Sequence, residues 1–554
     1  MQKSLFENNC QLLLDRFHTF NYLKLTDKNF LSFLPKKKNS LSIQKWFSSL
    51  DIEKTNVLFI YGIDGVSSFR PLKRWLDKKK ERAAVFIIDE KEKLASFLAE
   101  ASAKEMLQHK GIYLFFLQKE NLSDEISEIA NKFPLGEMKF ISFPGYIGKD
   151  LFSQIEKYLF RKLTLSNARY LDRFFSDFHF YNFLKNIKRF HSLSQMSKLK
   201  GAFNKIPMII CGAGPSLEKN LSSLKKLHDR SLIMAGGSAI SLLSKAQVPF
   251  HFSVAVDPNF EEYKRLKQTN TFEAPFIFSL RLFSNVFACL NGPFGIMKSS
   301  IGELQEFLID DKLQLEGEFL GEKIDEEALS VTSMCLALAD FLGCNPIIFC
   351  GMDLSYKDGK RYVGNIRTEE EGKEIGEQKR EDTDIFQNPI TTTIKWQMET
   401  KAISSYIQKC KGIKFFNATD AGLGIKGAEN TSLEKLKEKY FNRQNDLLSL
   451  VGISLQNSTF KGPIEEKVNQ FFEECEKSLI ICIDLIKEIL KEKKGSGKRV
   501  LYEMDLEDEM AYKYFFYDWK DVTSFSLKEI EITENFQFLR SMVESYLKIV
   551  KELK

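Results

Sequence analysis

Over the first 165 residues the chain alternates short apolar runs with longer amphipathic stretches. "NVLFIYG" (56–62), "AAVFIID" (83–89) and "GIYLFFL" (111–117) are solid enough in apolar residues to predict buried strands, and "SSFRPLKRWLDKKK" predicts a helix between the first two. Apolar runs separated by helical patterns predict a parallel sheet with crossovers. The pattern changes at 166–206, where "ARYLDRFFSDFHFYNFLKNIKRFHSL" reads as an aromatic-rich helical linker packing on its neighbours. A second α/β pattern fills 207–430. Its expected strands are "MIIC" (208–211), "SLIMAG" (231–236), "FSVAVD" (252–257), "PFIFSL" (275–280), "PIIFCG" (346–351) and "IKFFNAT" (413–419). After 430 the apolar positions take helical spacing, over 465–494 and 535–554, which predicts a C-terminal helical domain at 431–554.

A chain of 554 residues exceeds one compact core, in keeping with several domains. Its 80 basic and 75 acidic side chains nearly cancel, leaving +5, which argues against nucleic acid as the main partner. Nine scattered cysteines without a C-x-x-C pair read as reduced thiols in a cytoplasmic protein. No apolar run reaches the roughly 18 residues of a membrane span, and no signal peptide is evident at the start.

Candidate chemistry centres on "MIICGAGPSLEKN" (208–220). Gly212 and Gly214 allow a sharp turn and a close ligand, Pro215 suits a first helical position, and Ser216 adds a hydroxyl beside the free N–H groups. Leu217, Leu221, Leu224 and Leu227 then form a buried helical stripe. Such a helix start is an anion site in waiting, although a plain strand–helix turn has the same pattern. It is not the dinucleotide fingerprint, since Leu217 stands at the third glycine position, nor a P-loop, since no lysine follows. "AGGSAISLL" (235–243) repeats the strand–glycine–helix corner with Gly237 and Ser238, and "VAVDPN" (254–259) ends a third strand in Asp257 and Asn259. Three strands ending in small or polar residues mark the edge where open α/β sheets bind ligands. Asp257 alone reads equally well as a turn or helix cap. His251, beside a strand, reads as structural.

"IICGAGPSLEKNLSSLKK", "AGGSAISLLSK", "VPFHFSVAVDPN", "LSVTSMCLALADFLGCNPIIFCGMDLSYKDGKRYVGN" and "FFNATDAGLGIKGAE" occur in that order and resemble the bacterial motility-associated factor family of flagellin glycosyltransferases. The central part is also similar to bacterial sialyltransferases that use CMP-sialic acid, which share a G-x-G-P-S-L loop and a later G-x-D, here Gly351 and Asp353. The resemblance implies an α/β fold with an N-terminal Rossmann-like domain (1–165), a central Rossmann-like sialyltransferase-type domain (207–430) and the helical tail. It implies a donor site at Gly212, Ala213, Gly214, Pro215, Ser216, Leu217, Gly237, Ser238, Asp257, Asn259, Thr332 and Ser333. It implies catalytic roles for Asp353, Tyr356 and Tyr362, with the tyrosine hydroxyls steadying a departing phosphate without a metal. The expected substrates are a CMP-activated nonulosonic acid and a Ser or Thr of a protein acceptor such as flagellin or another surface protein; no cofactor is expected.

One departure stands out. The sialyltransferases carry a catalytic histidine after this segment, whereas the last histidine here is His251, and "NPITTTIKWQMETKAISSYI" (388–407) offers Thr391, Thr392 and Thr393, which are poor general bases. Asp257, Asp353 or another carboxylate is left for that role. Two alternatives stay open: a Mg²⁺/ATP-dependent hydroxymethylpterin pyrophosphokinase-like enzyme, from relatives with the same loop, and a non-catalytic scaffold retaining the fold. In the N-terminal part, "YGIDGVSSF" (61–69) and "IIDE" (87–90) have the spacing of a nucleotide site, yet two glycines and Asp64 favour a structural corner.

Overall fold

A computed structural model describes residues 2–554 apart from 26–27, 34–42, 119–121, 134–136, 145, 147–149, 270–272, 299–303, 315–319, 321, 325–329, 357–378, 518 and 520–531. It divides into two compact units, Met1–Tyr170 and Leu171–Lys554.

The first unit is built on four parallel strands, β1 (Val57–Tyr61), β2 (Ala83–Ile88), β3 (Ile112–Phe116) and β4 (Met138–Ser142), in the order β3-β2-β1-β4. The first three match the apolar runs of the sequence. The fourth, "MKFIS", is only partly apolar and pairs in register with β1 at one edge. The glycine corner after β1 is filled from within. Gly62 has φ +90°, and a Cβ there would lie 2.5 Å from the Tyr146 ring. The Tyr146 hydroxyl donates to the Ile63 carbonyl at 3.0 Å. Asp64 accepts from Gly65 N–H at 2.7 Å and pairs with Lys93. Asp89, at the end of β2, accepts from the Tyr61 hydroxyl at 2.8 Å, and burial with this carboxylate pushes the Tyr61 phenol up.

The second unit carries a nine-stranded sheet: β5 (Ser194–Gln195), β6 (Met208–Cys211), β7 (Leu232–Gly236), β8 (Phe252–Ala255), β9 (Phe276–Phe278), β10 (Phe294–Ile296), β11 (Ile347–Cys350), β14 (Phe415–Asn417) and β15 (Glu429–Asn430). All its pairings are parallel, in the order β15-β14-β11-β6-β7-β8-β9-β10-β5. A separate antiparallel hairpin joins β12 (Lys379–Thr383) and β13 (Pro389–Thr393). Alternate strand residues face two cores. Ile209, Ile233, Phe278 and Ile348 lie in one, and Met208, Met234, Ile277 and Phe349 in the other. Burial on both faces explains why the strands read as continuous apolar runs.

Helix α1 (Ser176–Ile187) belongs to the aromatic stretch of the sequence, and it packs in the first of these cores with the C-terminal helices α6 (Ile464–Lys491) and α7 (Ile532–Leu553). Phe180 stacks on Tyr546 with ring centroids 4.0 Å apart. The opposite face is covered by α4 (Val331–Phe341) and α5 (Ile394–Lys409). The α/β fold with parallel sheets and a helical tail is therefore as expected. Among the described residues no helix is long and apolar enough to cross a membrane.

Candidate functional site

The strand order reverses at β6. From β6 the chain steps to β7, β8 and β9 on one side, and later returns to place β11 on the other. Such a switch point opens a crevice at the carboxyl ends of the two central strands. The loops that leave β6 and β11 there are the two motifs singled out in the sequence, "GAGPSL" and "GMDLSY".

The two loops are locked together. Gly212 N–H donates to the Cys350 carbonyl at 2.8 Å, and Gly214 N–H to the Gly351 carbonyl at 2.9 Å. A Cβ on Gly212 would overlap Met352 Sδ, and one on Gly351 (φ +71°) would lie 2.7 Å from the Gly212 carbonyl oxygen and 2.8 Å from Leu217 Cβ. Pro215 and Ser216 form a turn closed by Leu217 N–H to the Gly214 carbonyl, 3.0 Å. Helix α2 (Leu217–Lys225) starts after it, so Pro215 precedes the helix instead of opening it. Leu217, Leu224 and Leu227 are buried as the stripe requires, and Leu221 packs against them.

The anion at this helix start is supplied by the protein. Ser216 N–H reaches both carboxylate oxygens of Asp353, at 3.3 and 3.1 Å, and the Ser216 hydroxyl donates to Asp353 Oδ2 at 2.7 Å. Ser216 and Asp353 are almost fully buried. A carboxylate against helix N–H groups complements the macrodipole. Gly214 is required because a Cβ would run into that carboxylate. Sequence reasoning saw the glycines but not the groups that complete the junction. Thr419 Oγ1 accepts from Met352 N–H at 3.0 Å, Leu423 N–H donates to the Asp353 carbonyl at 2.9 Å, and Asn220 Nδ2 donates to the Ser216 and Ala418 carbonyls at 3.3 Å each. Asp420 pairs with Lys219 at 2.6 Å and raises its pKa. These lie in or opposite "FFNATDAGLG", a stretch legible as a resemblance but not as chemistry.

At the second corner Gly237 has φ +52° and precedes α3 (Ser238–Lys245). A Cβ on Gly236 would meet Val331 Cγ1 at 2.9 Å, so the first residue of α4, and with it Thr332 and Ser333, stands beside this corner. Ser238 and Ser333 are buried, and among the described residues the Ser333 hydroxyl has no hydrogen-bond partner. At the third strand end Asp257 pairs with Arg265 at 2.9 Å, and Arg265 also pairs with Glu262. Burial, reinforced by Asp257, raises the Glu262 pKa. Asn259 is exposed and precedes a short helix without capping it through its side chain.

Tyr356, half-buried, ends the second loop. Its N–H donates to the Thr391 carbonyl at 2.8 Å, its ring lies 4.9 Å from that of Trp396, and the Lys379 ammonium stands 4.7 Å over it. Tyr362 lies outside the described residues. Of the threonines in the histidine's stretch, Thr392 donates to the Leu354 carbonyl at 2.7 Å and Thr393 caps α5 by accepting from Trp396 N–H at 3.2 Å. His251 is buried, accepts from Ile233 N–H at 3.0 Å and is pushed down to about 4 by burial, so it stays neutral and structural. Cys211 and Cys350, paired in register on β6 and β11, are raised by burial and remain thiols. Among the described residues no group of three or more His, Cys, Asp or Glu side chains is placed to hold a metal ion.

Residues 181–359 match the model of the MptE-like family, described as 6-hydroxymethylpterin diphosphokinase MptE-like. This region holds both locked loops. Among solved structures the chain is similar to that of the MAf glycosyltransferase from Magnetospirillum magneticum AMB-1, with 11% identity and a TM-score of 0.52, over 100% of this chain and 96% of that one. The comparison with curated proteins found no match. At this identity the likeness is one of fold. The resemblance to motility-associated factors read in the sequence thus returns in three dimensions: the chain carries an MptE-like region within a fold that it shares, from end to end, with a Maf glycosyltransferase.

Proposed function

We propose that the protein is a glycosyltransferase that moves a nonulosonic acid, of the sialic, pseudaminic or legionaminic type, from a CMP donor to Ser or Thr of a protein acceptor such as flagellin or another surface protein. The observation that carries this reading is the locked pair of loops at the switch point, in the region that resembles the CMP-sialic-acid enzymes, within a fold similar to that of a Maf glycosyltransferase. In this reading the donor lies along the carboxyl edge. Gly212, Ala213, Gly214, Pro215, Ser216 and Leu217 form its floor. Gly237, Ser238, Asp257, Asn259, Thr332 and Ser333 line the nucleoside and sugar. Asp353 holds the floor in shape, while Tyr356 and Tyr362 steady the departing CMP. The reaction proceeds in the cytoplasm without a metal or cofactor.

The MptE-like match favours a second reading, pyrophosphate transfer from ATP. Its Mg²⁺ would need carboxylate ligands.

A thermal-shift panel separates the two. A ligand at 100 times its Kd adds about 2.7 kcal/mol to the stability of the protein that binds it. The transferase reading expects a shift with CMP and none with ATP–Mg²⁺ or S-adenosylmethionine. A shift with ATP–Mg²⁺ alone would replace it by the second reading. No shift with any of them leaves a non-catalytic scaffold.

A further inference from the structure

Asp353 occupies the place where a glycine corner of this kind would seat a ligand phosphate. Its carboxylate takes the Ser216 N–H and hydroxyl, and the missing Cβ of Gly214 makes room for it. The backbone is bent to present it. Gly351 at φ +71° and Leu354 at φ +50° bracket the residue, and the second is a left-handed non-glycine, an uncommon conformation held where surrounding structure insists on it. Leu423 N–H grips the Asp353 carbonyl, from a turn whose Gly422 (φ +97°) leaves no space for a side chain against Asp353.

We propose that Asp353 is a specificity-determining residue: a built-in anion that admits ligands carrying a single phosphate to this edge and turns away di- and triphosphates. The inference rests on the transferase reading for the position of the nucleotide along the carboxyl edge. The physical argument is direct. The Ser216 N–H and hydroxyl that would welcome a phosphate are already used by the carboxylate, and the N–H groups of Gly212, Gly214 and Leu217 are used by backbone carbonyls. Each further phosphate adds negative charge close to that carboxylate in a partly desolvated crevice, where like charges repel far more strongly than in bulk water. A sugar-CMP diester has one phosphate, flanked by nucleoside and sugar, and needs no seat in the corner.

The test is isothermal titration of CMP, CDP and CTP, without Mg²⁺, into the full-length protein and its Asp353→Asn variant, which keeps the shape and removes the charge. In the wild type, affinity should fall at least about tenfold from CMP to CTP, and in the variant that ratio should shrink by about tenfold or more. Asp353→Ser, which also empties the place, gives the same comparison if the asparagine variant unfolds. Wild-type protein that binds CTP as tightly as CMP, or a CMP-to-CTP ratio unchanged in the variants, overturns the proposal. If no cytidine nucleotide binds the wild type, the transferase reading fails, and the ladder AMP, ADP, ATP judges Asp353 by the same ratio. Failure of both ladders overturns the proposal along with the site.

Discussion

Replacing Gly214 by alanine tests the junction where it is tightest. The added Cβ would stand 2.8 Å from the Gly351 carbonyl oxygen and 2.8 Å from Asp353 Cγ, and would overlap Asp353 Oδ2. Gly214 is not one of the left-handed glycines, so the backbone itself tolerates alanine and the whole cost is steric. One neighbour is a backbone carbonyl fixed by β11, and the other is a carboxylate held by Ser216. Overpacking of this kind costs about 1–3 kcal/mol. Pushing Asp353 off even one of its hydrogen bonds adds about 1.5–3 kcal/mol. The expected loss is roughly 3–5 kcal/mol, and in a unit this large the melting temperature should drop by roughly 4–6 °C.

Denaturant unfolding followed by tryptophan fluorescence, with calorimetry alongside, measures that loss. Gly412→Ala is the control: its φ is +80° and no atom of the described residues lies within 4 Å of the new Cβ, so only backbone strain of about 1–2 kcal/mol applies. The double variant Gly214→Ala/Asp353→Ser should recover part of the loss, with a coupling of at least about 1 kcal/mol. If Gly214→Ala costs no more than Gly412→Ala, the locked junction is not as described.

In the first unit, Gly62→Ala meets both the Tyr146 ring and a φ of +90°, so differential scanning calorimetry should show that unit melting earlier, while Tyr146→Ala should relieve the contact part of the cost. Burial in the folded protein lowers His251, and likewise the buried His179 of α1, to about 4 from an ordinary value of 6.5. Protonation therefore favours the unfolded chain. Stability is full above about pH 6.5 and declines as the pH falls toward 4, by at most about 3 kcal/mol per histidine. Denaturant midpoints between pH 7.5 and 4 should show this decline, and His251→Gln should flatten it. Thr393→Ala removes the cap of α5 and should cost about 1 kcal/mol by the same denaturant assay.

The long apolar strands were legible because both faces of each parallel sheet are buried, which leaves "VLFIY" or "MIIC" with no polar alternation to obscure them. Strands that escaped notice lack that signature. β12 is the exposed, charged "KREDT", β5 has two residues, and β4 lies at an edge with half-buried positions. The glycine corners were equally legible as corners. What fills them was not, because the partner is far away in sequence: Asp353 for Gly214 and Ser216, Tyr146 for Gly62, Val331 for Gly236. A sequence shows that a side chain is missing, and only the fold shows which neighbour required its absence.

The most direct test of the transferase account is intact-mass analysis of purified flagellin after incubation with this protein and a CMP-nonulosonic acid. The account predicts a mass gain of one sugar residue per modified Ser or Thr, equimolar release of CMP, and loss of both with Gly214→Val. Flagellin of unchanged mass, with sialic, pseudaminic and legionaminic donors each left intact, would contradict it.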